Sequence, residues 1–414
     1  MGKRILVVHY TPPGVIGGVE HIIHQHIHLL SARGYRVKVV AGQPGDARLR
    51  AHVIPEIDAA SEANVQLDGE LAAGVVSPLF HRLQRAIREK LINLSRNADH
   101  VIAHNAFTLH FSLPLTGVLW ELAAQRPAGS FIAWCHDLSW TNPLYVPSMH
   151  PGYPWDLLRT PAPSVTYVTV SEERRDELRA LWGGNGPISV VPNGIEVEAF
   201  LRLSEETKSI VERFRLFERD AVLLLPVRIT RRKNIQAAIR AVRALKDRGL
   251  DVIFLISGPV APHHPNRSRD YLAYLKEERE MLGVMEEVIF LADTLGHNLD
   301  DRTVSELYTV ADVLLFPSAQ EGFGLPILEA GLARMPVVLS DILIFREVGD
   351  DDVWNFPLES SGEVIADRVI TALSTPQARL YRRVLRTYRW DAIVDRGIIP
   401  LLTPEPPAPL GRIP

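Results

Sequence analysis

The chain has 414 residues, of which 46% are hydrophobic and 23% charged, and carries a formal net charge of −4. That composition excludes a disordered or collagen-like polymer, and the charge balance gives no general electrostatic case for a nucleic-acid partner. The length exceeds the ~250–300 residues at which one core usually stops growing, so two domains are expected, each able to bury its own core.

The opening "MGKRILVVHYTPPG" has an apolar run from Ile5 to Val8 that is too short for a signal peptide and stops at turn residues, so it predicts a first strand. Nowhere does an apolar run approach the ~18–20 residues that cross a bilayer. The one cysteine, Cys135, cannot form an internal disulfide and fits a reducing compartment, so a cytoplasmic location is expected.

Short β-branched runs then alternate with segments of helical period. In the first half strands are predicted at 4–9, 36–41, 100–104, 130–136, 166–170 and 188–191; in the second, at 221–227, 251–257, 287–292, 312–317 and 336–340. Near-continuous apolar strands separated by helices imply parallel sheets buried on both faces. The pattern runs through twice, which makes the fold class α/β with two doubly wound, Rossmann-like domains facing across a cleft. The turn-rich "VVPNGIEVEAF" and the charged helical "SEETKSIVERFRLFERD" place the boundary near residue 198, giving domains at 1–198 and 199–384. The proline-rich end at 403–414 lacks apolar periodicity and predicts an extended tail.

In open α/β sheets ligands sit beyond the C-terminal ends of the strands. After the first strand, Gly17 and Gly18 open a helix with bare N–H groups and the positive end of its dipole. This is not GxGxxG, and no GxxxxGK[ST] occurs, which argues against a dinucleotide oxidoreductase. The same helix carries His21, His24, His26 and His28, with 21, 24 and 28 on one face; only Glu20 stands nearby as a further ligand, so no metal site is assigned. The segment 81–96, "HRLQRAIREKLINLSR", is basic and amphipathic, either a packed solvated helix or a peripheral dock on an anionic inner-membrane face. His136 and Asp137 follow an apolar strand, where a histidine can donate to or orient a substrate hydroxyl, or cap the next segment. Cys135 lies within that strand and reads as a buried, inert thiol.

The second domain opens with "LLLPVRITRRKN", four cations in six residues at a strand end, which suits a diphosphate better than a solvated loop; Arg228 and Lys233 are the candidates. In "EGFGLPILEA", Gly322 and Gly324 let backbone approach a ligand and Pro326 suits a first helical turn. Glu321 before the turn can contact a sugar and Glu329 inside the helix can accept two ribose hydroxyls, though both also suit helix capping.

Taken with "VTVSEERRDEL" (168–178), "VVPNGIEVEAF" (190–200) and "ISGP" (256–259), these pieces stand in the order of a known family. The chain resembles the retaining glycosyltransferases of family 4, also called group 1, whose two-domain fold is GT-B. The most specific element is the E-x7-E pattern at Glu321 and Glu329, within "LYTVADVLLFPSAQEGFGLPILEA" (307–330). Val227 where glycine is common, Arg334 in the segment after E-x7-E, and "SDILIFREVGDD" depart from the usual pattern and suggest a separate branch.

The resemblance implies a nucleotide-sugar donor, GDP- or UDP-hexose, held mainly by the C-terminal domain. Its acceptor, a glycan, lipid-linked or small-molecule hydroxyl, would be held mainly by the N-terminal one. Carried over by position, Arg228 and Lys233 hold the diphosphate and Glu329 the ribose. Glu321 with the backbone of Gly322, Phe323, Gly324 and Leu325 holds the donor sugar. His136 approaches the transferred sugar, and Gly17 and Gly18 face the diphosphate. The resemblance also implies that 385–402 crosses back onto the first domain, and that a front-face mechanism runs without a metal or other cofactor. The setting it suggests is bacterial polysaccharide or glycolipid assembly. The alternatives left open are an epimerase or other enzyme on the same architecture, and a non-catalytic nucleotide-sugar binding protein.

Overall fold

The computed structural model describes residues 2–45, 51–184, 186–261 and 265–403, so the proline-rich stretch from 404 onward lies outside the described residues. The chain divides into two compact units, one running to Ile195 and resuming at Tyr388, the other Glu196–Thr387. No helix among the described residues is long and apolar enough to cross a membrane.

The first unit is built on strands β1 (Arg4–Val8), β2 (Arg36–Ala41), β3 (His52–Val53), β4 (His100–His104), β5 (Phe131–Cys135), β6 (Val165–Thr169) and β7 (Ile188–Val190), all paired in parallel in the order β3-β2-β1-β4-β5-β6-β7. The central strands β1, β4 and β5 are largely apolar because alternate side chains enter different cores. Leu6, Val8, Val101, Ala103, Phe131, Ala133 and Cys135 join one buried cluster; Ile5, Val7, Ile102, Ile132 and Trp134 join the cluster on the opposite face. Burial pushes the Cys135 thiol up to about 12, consistent with an inert side chain.

That second cluster is completed by the end of the chain. Trp390, Ile393, Val394, Ile398, Leu401 and Leu402 pack into it. The Ile195 amide donates to the Tyr388 carbonyl at 2.7 Å, and a Cβ on Gly194 would lie 2.5 Å from the Trp390 ring, so only glycine lets the indole lie against this backbone. The helix Pro78–Arg96 buries Leu79, Phe80, Leu83, Ile87 and Leu91, leaving Arg82, Arg85 and Arg88 exposed. Its apolar stripe is therefore committed to the core.

The second unit repeats the plan with β8 (Ala221–Leu225), β9 (Val252–Ile256), β10 (Val288–Phe290), β11 (Val313–Phe316), β12 (Val337–Ser340) and β13 (Trp354–Phe356), parallel in the order β10-β9-β8-β11-β12-β13. The predicted strand at 287–292 ends at Phe290, and Leu291–Leu295 turns into a short helix that stops at Gly296, whose φ of 81° is left-handed. Strands β3 and β13 were not among those predicted. Under the sheet, Arg382 Nε donates to Asp312 Oδ1 at 2.6 Å and Nη2 to Oδ2, while Nη1 donates to the carbonyls of Leu216 and Arg219 at 3.0 and 3.1 Å. Asp312 Oδ2 also accepts from the Val222 amide at 2.6 Å, so one buried pair ties the starts of β8 and β11 to the helix Pro376–Thr387.

In each sheet the strand order reverses once, between β1 and β4 in the first and between β8 and β11 in the second. The loops leaving those strands diverge there and open a crevice in which side chains can meet a ligand. Asp312→Ala would leave Arg382 buried without its counter-charge and should cost about 3–5 kcal/mol, seen as a lower urea midpoint for the unfolding step of the second unit.

Candidate active site

In the first unit, β1, β4 and β5 each end in or lead into a histidine: His9, His104 and His136. His9 Nδ1 donates to the His104 carbonyl at 3.0 Å, and its Nε2 lies 3.6 Å from Glu20 Oε1. Glu20 sits in the first turn of the helix Gly18–Ala32, and a Cβ on Gly17 would lie 2.0 Å from its Oε2. Gly17 has an ordinary extended φ of −172°, so space for this carboxylate, not backbone conformation, is what calls for glycine; a Cβ on Gly18 would meet nothing. The nearby His9 ring is the main cause that lowers the Glu20 carboxyl to about 2. The helix start predicted as a bare anion site thus carries a carboxylate of its own.

His136 is buried, and its ring Nε2 lies 3.0 Å from His104 Nδ1. Its backbone N–H donates to Asn105 Oδ1 at 2.8 Å, a clamp shared with the Asp137 N–H at 3.2 Å. Asn105 holds the left-handed region at φ 58°, and its own amide donates to the Trp134 carbonyl at 2.8 Å, which fixes the clamp against β5. Burial is the main cause that lowers His136 to about 3, so the ring is neutral at physiological pH. Of the histidines on the first helix, His21, His24 and His28 are exposed, whereas His26 is buried against Trp134, His104 and Trp390 at ring distances of 4.7, 5.3 and 5.5 Å. Among the described residues no group of three or more His, Cys, Asp or Glu side chains is arranged to hold a metal ion.

In the second unit the loops after β8 and β11 meet. Lys233 and Glu321 form an ion pair in which each side chain is only 8% exposed, and Arg232 Nη1 donates to Glu321 Oε2 at 3.1 Å. The Ala319 N–H donates to the Arg232 carbonyl at 2.8 Å, joining the two loops through backbone as well. Burial lowers the Lys233 pKa and the hydrogen bond to Glu321 opposes it. Arg228 is exposed, with no hydrogen bond or ion pair among the described residues. Its loop is pressed against the one after β9: a Cβ on Gly258 would lie 2.2 Å from the Val227 carbonyl oxygen and 2.7 Å from the Arg228 nitrogen.

Gly324 has φ 99° and caps the helix Leu325–Leu332, with Pro326 in its first turn; a Cβ there would also press on the Phe345 ring at 3.1 Å. Phe323 and Leu325 are exposed beside it, as is Gly322. Glu329 lies in this helix and accepts a hydrogen bond from the Tyr308 hydroxyl, whose pKa burial raises. The structure therefore joins Lys233 to Glu321 and leaves Arg228 and Glu329 outside that pair. The partners not anticipated from the sequence are His9, His104, Asn105 and Tyr308, while Glu20 and Arg232, singled out there only as a nearby acid and one of four cations, stand beside His9 and pair with Glu321.

A family model described as Glycosyl transferases group 1 matches residues 206–386, and one described as Glycosyltransferase Family 4 matches residues 16–199. The Mannosylglucosylglycerate synthase of Thermotoga maritima is 27% identical over 290 residues, covering 65% of this chain and 61% of that protein. An uncharacterized glycosyltransferase of Methanocaldococcus jannaschii is 31% identical over 251 residues, 57% of this chain and 59% of its own. The matched region thus spans about three fifths of the length of these two relatives. The Glycogen synthase of Mycobacterium tuberculosis H37Rv is 25% identical over 418 aligned positions, 94% of this chain and 92% of that one. Among solved structures, a glycosyltransferase from Rickettsia africae matches with 17% identity and a TM-score of 0.36, covering 97% of this chain and 98% of that one.

Two outcomes follow from this geometry. The Glu20 carboxyl is held below its ordinary value, so its contact with His9 stabilises the fold above about pH 4.5 and loses that contribution as the pH falls toward about 2. Glu20→Gln should flatten that part of the acid limb in a pH series of thermal melts. Gly258→Ala, which touches no candidate side chain, should displace the Arg228 loop and weaken nucleotide diphosphate binding about tenfold or more by calorimetry, since its methyl meets unyielding backbone.

Proposed function

The chain belongs to the family 4, group 1 glycosyltransferases, and on that premise we propose that it moves a hexose from a nucleotide diphosphate sugar to an acceptor hydroxyl with retention at the anomeric carbon. The observation that carries this reading is the buried Lys233–Glu321 pair, its lysine on the same loop as the exposed Arg228, at the reversal of the second sheet.

Breaking the anomeric C–O bond leaves negative charge on the departing diphosphate. Cations already held in place stabilise that charge without reorganising as it develops. Lys233 can give one N–H to Glu321 and still offer two to phosphate oxygens, while the planar Arg228 guanidinium can fork a second pair. With fixed cations in that role, a divalent metal is not required, and added EDTA should leave turnover unchanged.

Glu321 is engaged by Lys233 and Arg232, which suits a carboxylate that accepts from sugar hydroxyls and not one that attacks carbon. Retention then comes from attack on the leaving group's own face, with a departing phosphate oxygen taking the acceptor's proton. No pair of carboxyls flanking the bond at ~5–5.5 Å is needed. Glu329, oriented by Tyr308, is assigned the ribose, and the backbone of Gly322, Phe323, Gly324 and Leu325 the donor sugar. Gly17 and Gly18 are assigned the diphosphate from the first unit, and His136 the transferred sugar. Similarity to a Mannosylglucosylglycerate synthase and a Glycogen synthase favours a mannose- or glucose-type donor on GDP or UDP. The acceptor is a glycan, lipid-linked or small-molecule hydroxyl. Any peripheral contact with an anionic membrane would run through Arg82, Arg85 and Arg88 by charge alone, since the apolar stripe of that helix is buried.

Thermal shift against UDP, GDP and ADP with their hexoses tests the reading. One base should stabilise the protein by about 2.7 kcal/mol at 100 times its dissociation constant, and both Arg228→Ala and Glu329→Ala should abolish that gain. Absence of any stabilisation at saturating nucleotide would overturn the donor site.

A further inference from the structure

We propose that His104 is a positioning residue that fixes the tautomer of His136, so that His136 presents an Nδ1–H donor at the end of β5 and keeps its basic lone pair turned inward. The geometry leaves two ways to place the protons. His104 Nδ1 lies 3.0 Å from His136 Nε2, and one of these nitrogens must donate to the other. His104 is fully buried, and its remaining nitrogen, Nε2, has no hydrogen-bond partner. If His136 were the donor, the single proton of a neutral His104 would sit on that Nε2 as a buried N–H without an acceptor, a loss of about 1–3 kcal/mol. If His104 donates from Nδ1, only a bare lone pair faces the surrounding rings, and orphaned buried N–H groups are the rarer of the two defects.

The rings around His104 supply no acceptor for a proton on its Nε2, and burial outweighs the opposing pull of the Glu20 charge on His136. His26 lies 5.3 Å from the His104 ring with neither nitrogen hydrogen-bonded, so it supplies no acceptor. Trp134 stacks on His104 at 5.9 Å, and its indole nitrogen is likewise without a partner, a donor that cannot accept from His104. Glu20 faces His9, and His9 in turn donates to the His104 carbonyl, gripping residue 104 by its backbone. Burial and the neighbouring imidazoles lower the His104 pKa well below its ordinary value, which removes the doubly protonated ring from consideration. On the other side, Asn105 holds the backbone N–H groups of His136 and Asp137, which fixes the main chain from which the ring projects, and the ring itself is buried. The Nδ1 of His136 is the ring nitrogen that no described residue occupies.

The chemical consequence rests on the transferase reading above. A histidine that offers N–H to a sugar oxygen can orient the sugar and stabilise charge developing on it, but cannot accept the acceptor's proton, because its only lone pair already accepts from His104. On the front-face reading the proton then passes to the departing phosphate oxygen, and His136 does not compete for it.

Nitrogen-15 histidine spectra of the full chain at pH 7.5, with His136→Gln to assign the signal, test the tautomer directly. His136 should show the Nδ1–H pattern in the parent protein. His104→Phe, which keeps the ring but has no donor, should convert that signal to a mixture or to the Nε2–H form. In assays with UDP-glucose and GDP-mannose it should lower kcat on the order of 100-fold, with KM nearly unchanged. His104→Asn, whose amide nitrogen can take the place of Nδ1, should restore the Nδ1–H pattern and most of the turnover. An Nε2–H signal for His136 in the parent protein, or one that His104→Phe leaves unmoved, would overturn the proposal. The parent spectrum decides even if His104→Phe fails to fold. If the parent turns over neither sugar nucleotide, the transferase reading is what fails, while the tautomer assignment stands or falls on the spectra alone.

Discussion

An ammonium group removed from water is tolerable only beside a carboxylate, and in the second unit that constraint organises the site. Lys233 and Glu321 come from loops 88 positions apart in sequence, yet neither side chain is more than 8% exposed. Desolvating both ions is costly, so the pair forms only if the loops after β8 and β11 are held in register. The register comes from below, where the buried Arg382–Asp312 pair ties the starts of the same two strands. It also comes from above, where the Ala319 amide meets the Arg232 carbonyl. Two carboxylates bracket the glycine turn at 321–330 because each has a separate obligation, Glu321 to Lys233 and Glu329 to Tyr308. Gly324, with its left-handed φ and the Phe345 ring against it, is what allows a loop carrying the first to become a helix carrying the second.

The first unit meets the same topological demand mainly with imidazoles, Glu20 beside His9 being the charged group among them. Where β8 and β11 lead to a lysine and a carboxylate, β1, β4 and β5 lead to histidines linked by one ring-to-backbone and one ring-to-ring hydrogen bond. The contrast follows from packing. The sheet face beneath His104 is closed by the returning C-terminal segment, whose Trp390 lies against His26 and over Gly194. In so apolar a setting a neutral imidazole is far less costly than an ion, and the lowered pKa values of His26 and His136 express that.

How much of this was legible depended on whether a feature has a local signature. The long apolar strands were, because burial on both faces writes a continuous run into the sequence. Strands β3 and β13 were not: β3 is two exposed residues, His52–Val53, and β13 is the three-residue Trp354–Phe356 after a run of aspartates. Neither is long enough to show a period. Glycine positions and the cations after β8 stood out by residue type, but the pairing of Lys233 with Glu321 did not, since nothing in either loop encodes which opposite charge it meets. The histidine triplet at 21, 24 and 28 drew attention by its spacing, yet that spacing marks the solvent face; the histidine that enters the core is His26, out of phase with the others. A usable signal lies in "RILVVH", "HVIAH" and "FIAWCH", three apolar strands each closed by a histidine. Strands adjacent in a sheet bring their ends together, so a residue type repeated at three strand ends is a cluster in space.

The two halves of the molecule therefore distribute charge unequally, and the inequality has a chemical meaning under the transferase reading. Negative charge grows on the leaving diphosphate, so permanent cations are most useful against it, and they stand in the second unit as Arg228 and Lys233. A second base near the transferred sugar would compete with the phosphate oxygen for the acceptor's proton and would separate bond breaking from proton transfer. On that reading, with the tautomer proposed above, burying His136 on His104 would remove that competitor while keeping a donor in place. Glu20 fits the same logic: with its carboxylate over Gly17 and held by His9, the first helix meets an approaching anion with its dipole partly offset. The strongest attraction for the diphosphate is thereby left to Arg228 and Lys233, on the unit to which the donor is assigned.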